Sequence, residues 1–385
     1  MRIIIAPDSF KESLSARAVA EAMAAGIRDA MPQAQTVCVP MADGGEGSLE
    51  AVLAATGGEQ RTLTVLNANG QKHQASWGWL GDGKAFIEMA AAAGLEQIPE
   101  TERRPLQASS YGVGQLIKDA VEAGAVHIAV GLGGSATNDG GAGLLQALGA
   151  HLFDAQGNEL PAGGAALSQL ARVCLDEVDP RMKQVRFDIA VDVDNPLCGP
   201  RGASAIFGPQ KGASAQDVQV LDQALGHFAD VCARQFEKDE RNLPGMGAAG
   251  GLGFAIKTCF DADFRPGVEL IAELSCLAQA MEGADLVFTG EGKMDAQTVL
   301  GKTPVGVARV AARQGIPVIA LVGALGEGYE EVYAAGITAA FSLTPGPITL
   351  QQACEQGAGY LRQRARDCMR VWLAASARSG SGTAG

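Results

Sequence analysis

Leu286-Val-Phe-Thr289-Gly-Glu-Gly-Lys-Met-Asp295 is a short apolar run that breaks into a loop of acids, glycines and a lysine. The run is too brief for a helix and reads as a strand buried on both faces. The same grammar recurs at the other end of the chain. Arg2–Ala6 leads into Pro7-Asp8-Ser9-Phe10-Lys11-Glu12-Ser13, and Thr36–Pro40 into Ala42-Asp43-Gly44-Gly45-Glu46-Gly47. Two more runs, Pro317–Val322 and Ala339–Leu343, end at Gly323 and at Thr344-Pro345-Gly346. Helical patterns lie between these strands, at Ala16–Ala30, Gly47–Ala55, Pro304–Arg313, Tyr329–Ala335 and Leu350–Leu373. Short buried strands alternating with helices specify a doubly wound parallel sheet, whose ligands sit beyond the carboxyl ends of its strands. Three of those loops place acids beside glycines or a lysine, which marks that edge as a site.

The middle of the chain is patterned differently. Thr62–Leu66, His73–Leu80 and Ala85–Glu88 are separated by Asn69-Gly70 and Gly81-Asp82-Gly83, the turn chemistry of antiparallel hairpins. A helix at Val113–Ala123, strands at Val126–Val130 and Val185–Val193, and helices near Ala215–Glu237 and Pro266–Met281 follow. The fold class expected is therefore α/β. A parallel-sheet domain, residues 1–65 and 284–375, is interrupted by an inserted α/β domain, residues 66–283, and residues 376–385 form a disordered tail.

Gly131-Leu-Gly-Gly-Ser-Ala-Thr-Asn-Asp-Gly-Gly-Ala-Gly143 follows the Val126–Val130 strand and leads into the helical pattern Leu144–Leu148. Crowded glycine amides at a helix N-terminus make an anion cradle. The run also satisfies the G-x-G-x-x-A pattern of dinucleotide folds, with Asp154 where a ribose-binding acid belongs. Gly301-Lys302-Thr303 ends like a Walker loop, yet Ala296 stands where its first glycine is required. Acid-bearing loops have no task in hydride transfer. They have one in phosphoryl transfer, where carboxylates hold Mg²⁺ and a base takes a hydroxyl proton. Three readings stay open at this level: a kinase, an NAD-dependent oxidoreductase of small hydroxy acids, and a non-catalytic sugar-acid-binding regulator.

Composition narrows the partners. The chain of 385 residues exceeds the span of one core, and its net charge of −13 opposes nucleic acid and anionic membranes. Aromatics at 5% leave little for base-stacking platforms. Eight scattered cysteines without C-x-x-C and four unclustered histidines fit a reduced, cytoplasmic protein without structural zinc. A homo-oligomer is compatible with the sequence, which carries no mark of its interface.

Ile5–Ala16, Met41–Gly47, Gly133–Gly141, Asp192–Leu197, Gly208–Ala213 and Thr289–Thr298 closely resemble, in order, the motifs of the bacterial class I glycerate kinases. That resemblance implies ATP-dependent phosphorylation of D-glycerate, commonly to 2-phosphoglycerate, with Mg²⁺. It also implies a flavodoxin-like domain interrupted by a second α/β domain, with the active site in the cleft between them. On this basis Gly133, Gly134, Ser135, Thr137, Asn138, Asp139 and Gly140, with Lys211, are expected to hold the nucleotide. Lys11 would bridge phosphate and substrate carboxylate. Asp192 or Asp295 would accept the hydroxyl proton, with Asp192 slightly favoured. Asp8, Ser9, Asp43, Glu291 and Lys293 would meet glycerate, and Asp8, Asp43 and Asp194 would meet the metal. Lys302 is a further candidate phosphate contact.

Overall fold

A computed structural model describes residues 1–379. The chain divides into two compact units, one of Met1–Asp43, Glu50–Gly57 and Val268 onward, the other of Gly44–Leu49 and Gly58–Gly267. The strands of their main sheets are β1 Arg2–Ile5, β2 Gln35–Cys38, β3 Glu59–Leu66, β4 Lys72–Gly81, β5 Lys84–Glu88, β6 His127–Gly131, β7 Arg186–Ala190, β8 Asp261–Arg265, β9 Leu286–Thr289, β10 Val318–Val322 and β11 Ala339–Ser342. Among the described residues no helix is long and apolar enough to cross a membrane.

The first unit carries an all-parallel sheet in the order β11-β10-β9-β1-β2. This is the flavodoxin-like order, and its direction reverses beside β1, where a crevice opens at the strand ends. Ile3, Ile4, Ile5, Leu286, Val287 and Phe288 are all fully buried, as strands covered by helices on both faces require. Hydrogen bonding continues past the strand ends, from Ala6 N to Phe288 O and from Asp8 N to Gly290 O, each 2.8 Å. Met41 N likewise donates to Pro7 O at 2.9 Å. The loops after β2, β1 and β9 therefore leave the sheet side by side.

The second unit has the sheet order β8-β7-β6-β5-β4-β3. Its β8, β7, β6 and β5 are parallel, while β5-β4-β3 is an antiparallel meander. β3 starts at Glu59 and pairs with β4 from Glu59↔Trp79 onward, so residues assigned from sequence to the parallel domain belong here. Gly44–Leu49 joins this unit too. A Cβ on Gly44 would lie 2.8 Å from the Ala190 Cβ, and Leu49 N donates to Glu88 Oε1 at 2.6 Å.

Residues 268–283, expected in the insertion, lie instead in the first unit, where a Cβ on Gly306 would come within 2.4 Å of Val268. The helical pattern of Pro266–Met281 is split into Gly267–Leu274 and Leu277–Ala280 by Cys276, whose φ is 51°. The Leu350–Leu373 pattern is likewise two helices, Leu350–Glu355 and Gly357–Ser379, and Tyr329–Tyr333 is a 3-10 turn. Residues 376–379 of the expected tail are thus helical, and residues 380–385 lie outside the described residues.

Helix Ala16–Ala30, capped by Ser15, packs against Gly357–Ser379 with very little clearance. A Cβ added at Gly26 would sit 2.0 Å from the Arg362 carbonyl oxygen. Gly26→Ala is expected to lower stability by about 1–3 kcal/mol through overpacking. A shift of the urea midpoint at constant slope would show it, and an unmoved midpoint would show that the contact yields.

Candidate active site

Beyond the carboxyl edge of the first unit's sheet lies a cleft of about 750 Å³. Loops after β2, β1 and β9 supply its charged lining: Asp43, then Asp8, Ser9 and Lys11, then Glu291 and Lys293, with Lys302 beyond. The stretch after β11 supplies apolar residues, among them Leu343, Ile348, Leu350 and Tyr360. All the sequence-assigned substrate residues therefore meet in one place.

Asp8 is held in two directions. Its Oδ1 accepts from Ser9 N at 2.6 Å, and its Oδ2 accepts from Thr303 Oγ1 at 2.5 Å. Burial, and then the charge of Asp43, push its carboxyl up to about 6. Glu291 is 7% exposed and accepts from Thr298 Oγ1 at 2.7 Å. Burial raises its carboxyl to about 7, against the lowering effect of that hydrogen bond. Asp295 is the opposite case. Lys293 lies 3.1 Å from it and Lys302 3.8 Å, and chiefly the Lys293 contact holds its carboxyl below the ordinary range. Lys11 is exposed on the cleft.

The glycine-rich run is an anion cradle, but the anion is its own. Asp139, fully buried, accepts from Ser110 N and Ser110 Oγ at 2.8 and 2.9 Å, and from Gly141 N and Gly143 N at 3.1 and 3.2 Å. These donors surround the N-terminus of the short helix Ala142–Ala147. Burial nonetheless raises the Asp139 carboxyl. Lys211, 2% exposed, donates to Ser135 Oγ at 2.7 Å and Thr137 O at 2.6 Å. Asn138 is buried and donates to Ser204 Oγ at 2.7 Å. Gly140 is buried against Phe228, which a Cβ would meet at 2.9 Å, and its N–H goes to Gly250 O. Ser135, Thr137, Asn138, Asp139, Gly140 and Lys211 are thus all buried, with Lys211 tying Ser135 to the Thr137 carbonyl; only Gly133 and Gly134 of the expected nucleotide set are exposed. Close backbone packing requires glycine at Gly140 and Gly141.

Other assignments change as well. Asp194 meets Arg201 Nη2 through both carboxylate oxygens at 2.9 Å, an exposed ion pair away from the cleft lining. Asp192 lies in the irregular stretch after β7, exposed, with Oδ1 accepting from Gly267 N at 3.0 Å. Asp154 closes an exposed turn by accepting from Gln156 N and Asn158 N. It follows a small antiparallel pair, His151–Phe153 with Arg172–Cys174, so the second parallel strand of a dinucleotide fold is missing there.

Two buried threonines behind the cleft's acids have no role in the sequence reading. Thr303 reaches Asp8 across 295 residues, and Thr298 holds Glu291. The Gly301-Lys302-Thr303 triplet was the available signal, set aside because it fails as a Walker loop. Ser110, which grips Asp139, carried no signal at all.

Lys211 offers a test of the braced loop. Burial lowers its ammonium from the ordinary lysine value of about 10.4 to about 7. Across that window the unfolded chain keeps a proton the native state has shed, so stability rises as pH increases. Lys211→Met should flatten the rise of Tm between those two pH values, and an unchanged slope would show that Lys211 stays charged.

A sequence model described as the Glycerate kinase family matches residues 3–373. The chain is 47% identical to a glycerate kinase of Bacillus subtilis (strain 168), over 95% of this chain and 96% of that one. It is 49% identical to a glycerate 2-kinase of Escherichia coli (strain K12), over 92% and 93% respectively. A crystal structure assigned as glycerate kinase 2 of Salmonella typhimurium LT2 superposes with a TM-score of 0.90 at 45% identity, covering 98% of this chain and 99% of that one. By similarity along nearly its whole length, this chain belongs to the glycerate kinase family.

Proposed function

We propose that this glycerate kinase transfers the terminal phosphoryl group of ATP to the 2-hydroxyl of D-glycerate, giving 2-phosphoglycerate, with Mg²⁺ as the accompanying cation. The observation that carries the reading is the first unit's cleft, where Asp8, Lys11, Asp43, Glu291, Lys293 and Lys302 converge. The E. coli relative, named a glycerate 2-kinase, supports the 2-hydroxyl. Part of the proposal is that the second unit completes the cleft and excludes water during transfer.

The residues present fit Mg²⁺. Among the described residues no group of three or more His, Cys, Asp or Glu side chains forms a metal cage. Mg²⁺ does not need one, since it commonly binds through one or two carboxylates, water and substrate phosphates. Asp8 and Asp43 are such a pair: burial, and then the charge of Asp43, raise the Asp8 carboxyl, and a divalent cation would offset that charge. Bound there, the ion would offset charge on the phosphates.

The chain's own groups divide the remaining work. Lys11, an exposed ammonium on the cleft, neutralises the glycerate carboxylate or the phosphoryl oxygens. Proton acceptance falls to Glu291, a carboxylate held by Thr298 whose raised pKa suits a base working near neutrality. Asp295 is tied to two lysines and held low, which weakens it as a base. Asp192 is exposed and keeps a backbone hydrogen bond from Gly267.

A coupled ADP-release assay over small hydroxy acids tests the activity, and phosphorus NMR of the product tests the position. Glycerate-dependent turnover that stops on chelation of Mg²⁺ is expected; a 3-phosphoglycerate product would overturn the 2-hydroxyl assignment. Glu291→Gln should lower kcat by about 10²–10⁴-fold. Asp192→Asn should cost less, and a loss as large as that of Glu291→Gln would move the base to Asp192. Lys11→Ala should lower kcat/KM by about 10²-fold or more; an undiminished value would remove it from the site.

A further inference from the structure

The cleft is larger and less polar than a three-carbon acid requires. Pockets of about 300–1,000 Å³ ordinarily enclose drug-sized ligands, and this one holds about 750 Å³. Its charged lining is confined to the loops after β2, β1 and β9 together with Lys302. The remainder comes from a different part of the chain. From Leu343 to Cys354 there is no charged side chain, in a protein of net charge −13. This run contributes Leu343, Ile348, Leu350 and Ala353 to the cleft, joined by Phe10 and Tyr360. Leu350 is 76% exposed, a large apolar side chain left facing water on a ligand-sized cleft. The Tyr360 hydroxyl donates to Gln356 Oε1 at 2.8 Å, which fixes the ring on its helix. Glycerate, whose every carbon bears oxygen, has no use for such a lining.

Several donors at the alternative place for the nucleotide are engaged within its own fold. In the second unit's glycine-rich run, the amides of Gly141 and Gly143 go to Asp139, that of Gly140 to Gly250 O and that of Ala136 to Ala93 O. Its lysine, Lys211, is buried among the loop's own oxygens.

We infer that ATP binds in the first unit's cleft, with its adenine against the uncharged Leu343–Cys354 stretch and Tyr360, and its phosphates toward Lys11, Lys293 and Lys302. The inference rests on the kinase reading above and adds the location of the nucleotide. Flat heteroaromatic rings gain from apolar and aromatic contact, while the sheet edge supplies cations for the phosphates. Donor and acceptor then share one strand edge, the glycerate lying among the acids and the nucleoside toward β11.

Photolabelling of the intact protein with 8-azido-ATP locates the base directly. Label recovered in the peptide spanning residues 343–360, and suppressed by unlabelled ATP, is the expected result. Label in residues 131–143, or anywhere in the second unit, would overturn the inference and leave the glycerate reading standing. Kinetics give an independent arm. Ile348→Asp should raise KM for ATP by about tenfold or more while KM for glycerate changes by less than about twofold. Equal KM values for ATP in parent and variant would count against it. Failure of any hydroxy acid to drive ADP release would instead remove the kinase reading, and the inference with it.

Discussion

Parallel pairing of β1 with β9 is the constraint on which the rest depends. It joins Ile3 to Leu286 and Ile5 to Phe288, segments from opposite ends of the chain. Because the bonding runs on from Asp8 N to Gly290 O, the loops after the two strands emerge together. A parallel pair needs a crossover connection, and here that connection contains an entire second unit. The same pairing lies where the sheet order changes direction, so the crevice opens between the loops that carry Asp8 and Glu291. Without it, Thr303 could not reach Asp8.

Crowding of like charge follows from that geometry. Asp8, Asp43 and Glu291 come from three neighbouring strands, and both Asp8 and Glu291 hold their protons more tightly than free carboxyls do. Burial is the larger cause in each. Thr303 and Thr298 offset part of the cost by donating to the charged forms. Asp295, four residues beyond Glu291 in the same loop, is spared by its two lysines. Neighbouring acids of similar appearance thus acquire different chemistry from their surroundings, one suited to accept a proton and another to stay ionised.

The second unit buries an equally polar set of groups. Asp139 and Lys211 are a carboxylate and an amine deep in the fold, each satisfied by hydroxyls and backbone. Backbone contact is tight around them: a Cβ on Gly250 would lie 2.1 Å from Thr137 O, and one on Gly141 2.6 Å from the Ala255 Cβ. Loops that must approach so closely require glycine whether or not they bind a ligand. This is why a glycine-rich strand-to-helix run resembled a phosphate loop.

Much was legible in the chain itself. Runs such as Leu286–Thr289 and the helical period of Ala16–Ala30 reflect burial that local pattern records, so the parallel sheet, the antiparallel meander and the edge bearing Asp8, Asp43 and Glu291 could be read from residue order. Family motifs added glycerate, which no composition could name. Helix breaks at Cys276 and Gln356 left no such record, because neither residue is a Gly or Pro that marks a turn. Nor did the fate of individual polar groups. Whether an aspartate lines a cleft, as Asp8 does, or meets its own loop's amides, as Asp139 does, depends on partners far away in sequence. Sequence by itself determined the elements and the acids available, since both follow from local periodicity and residue type. Only the tertiary structure decided which acids were desolvated, paired or open, because burial and charge are set by neighbours that the fold brings together.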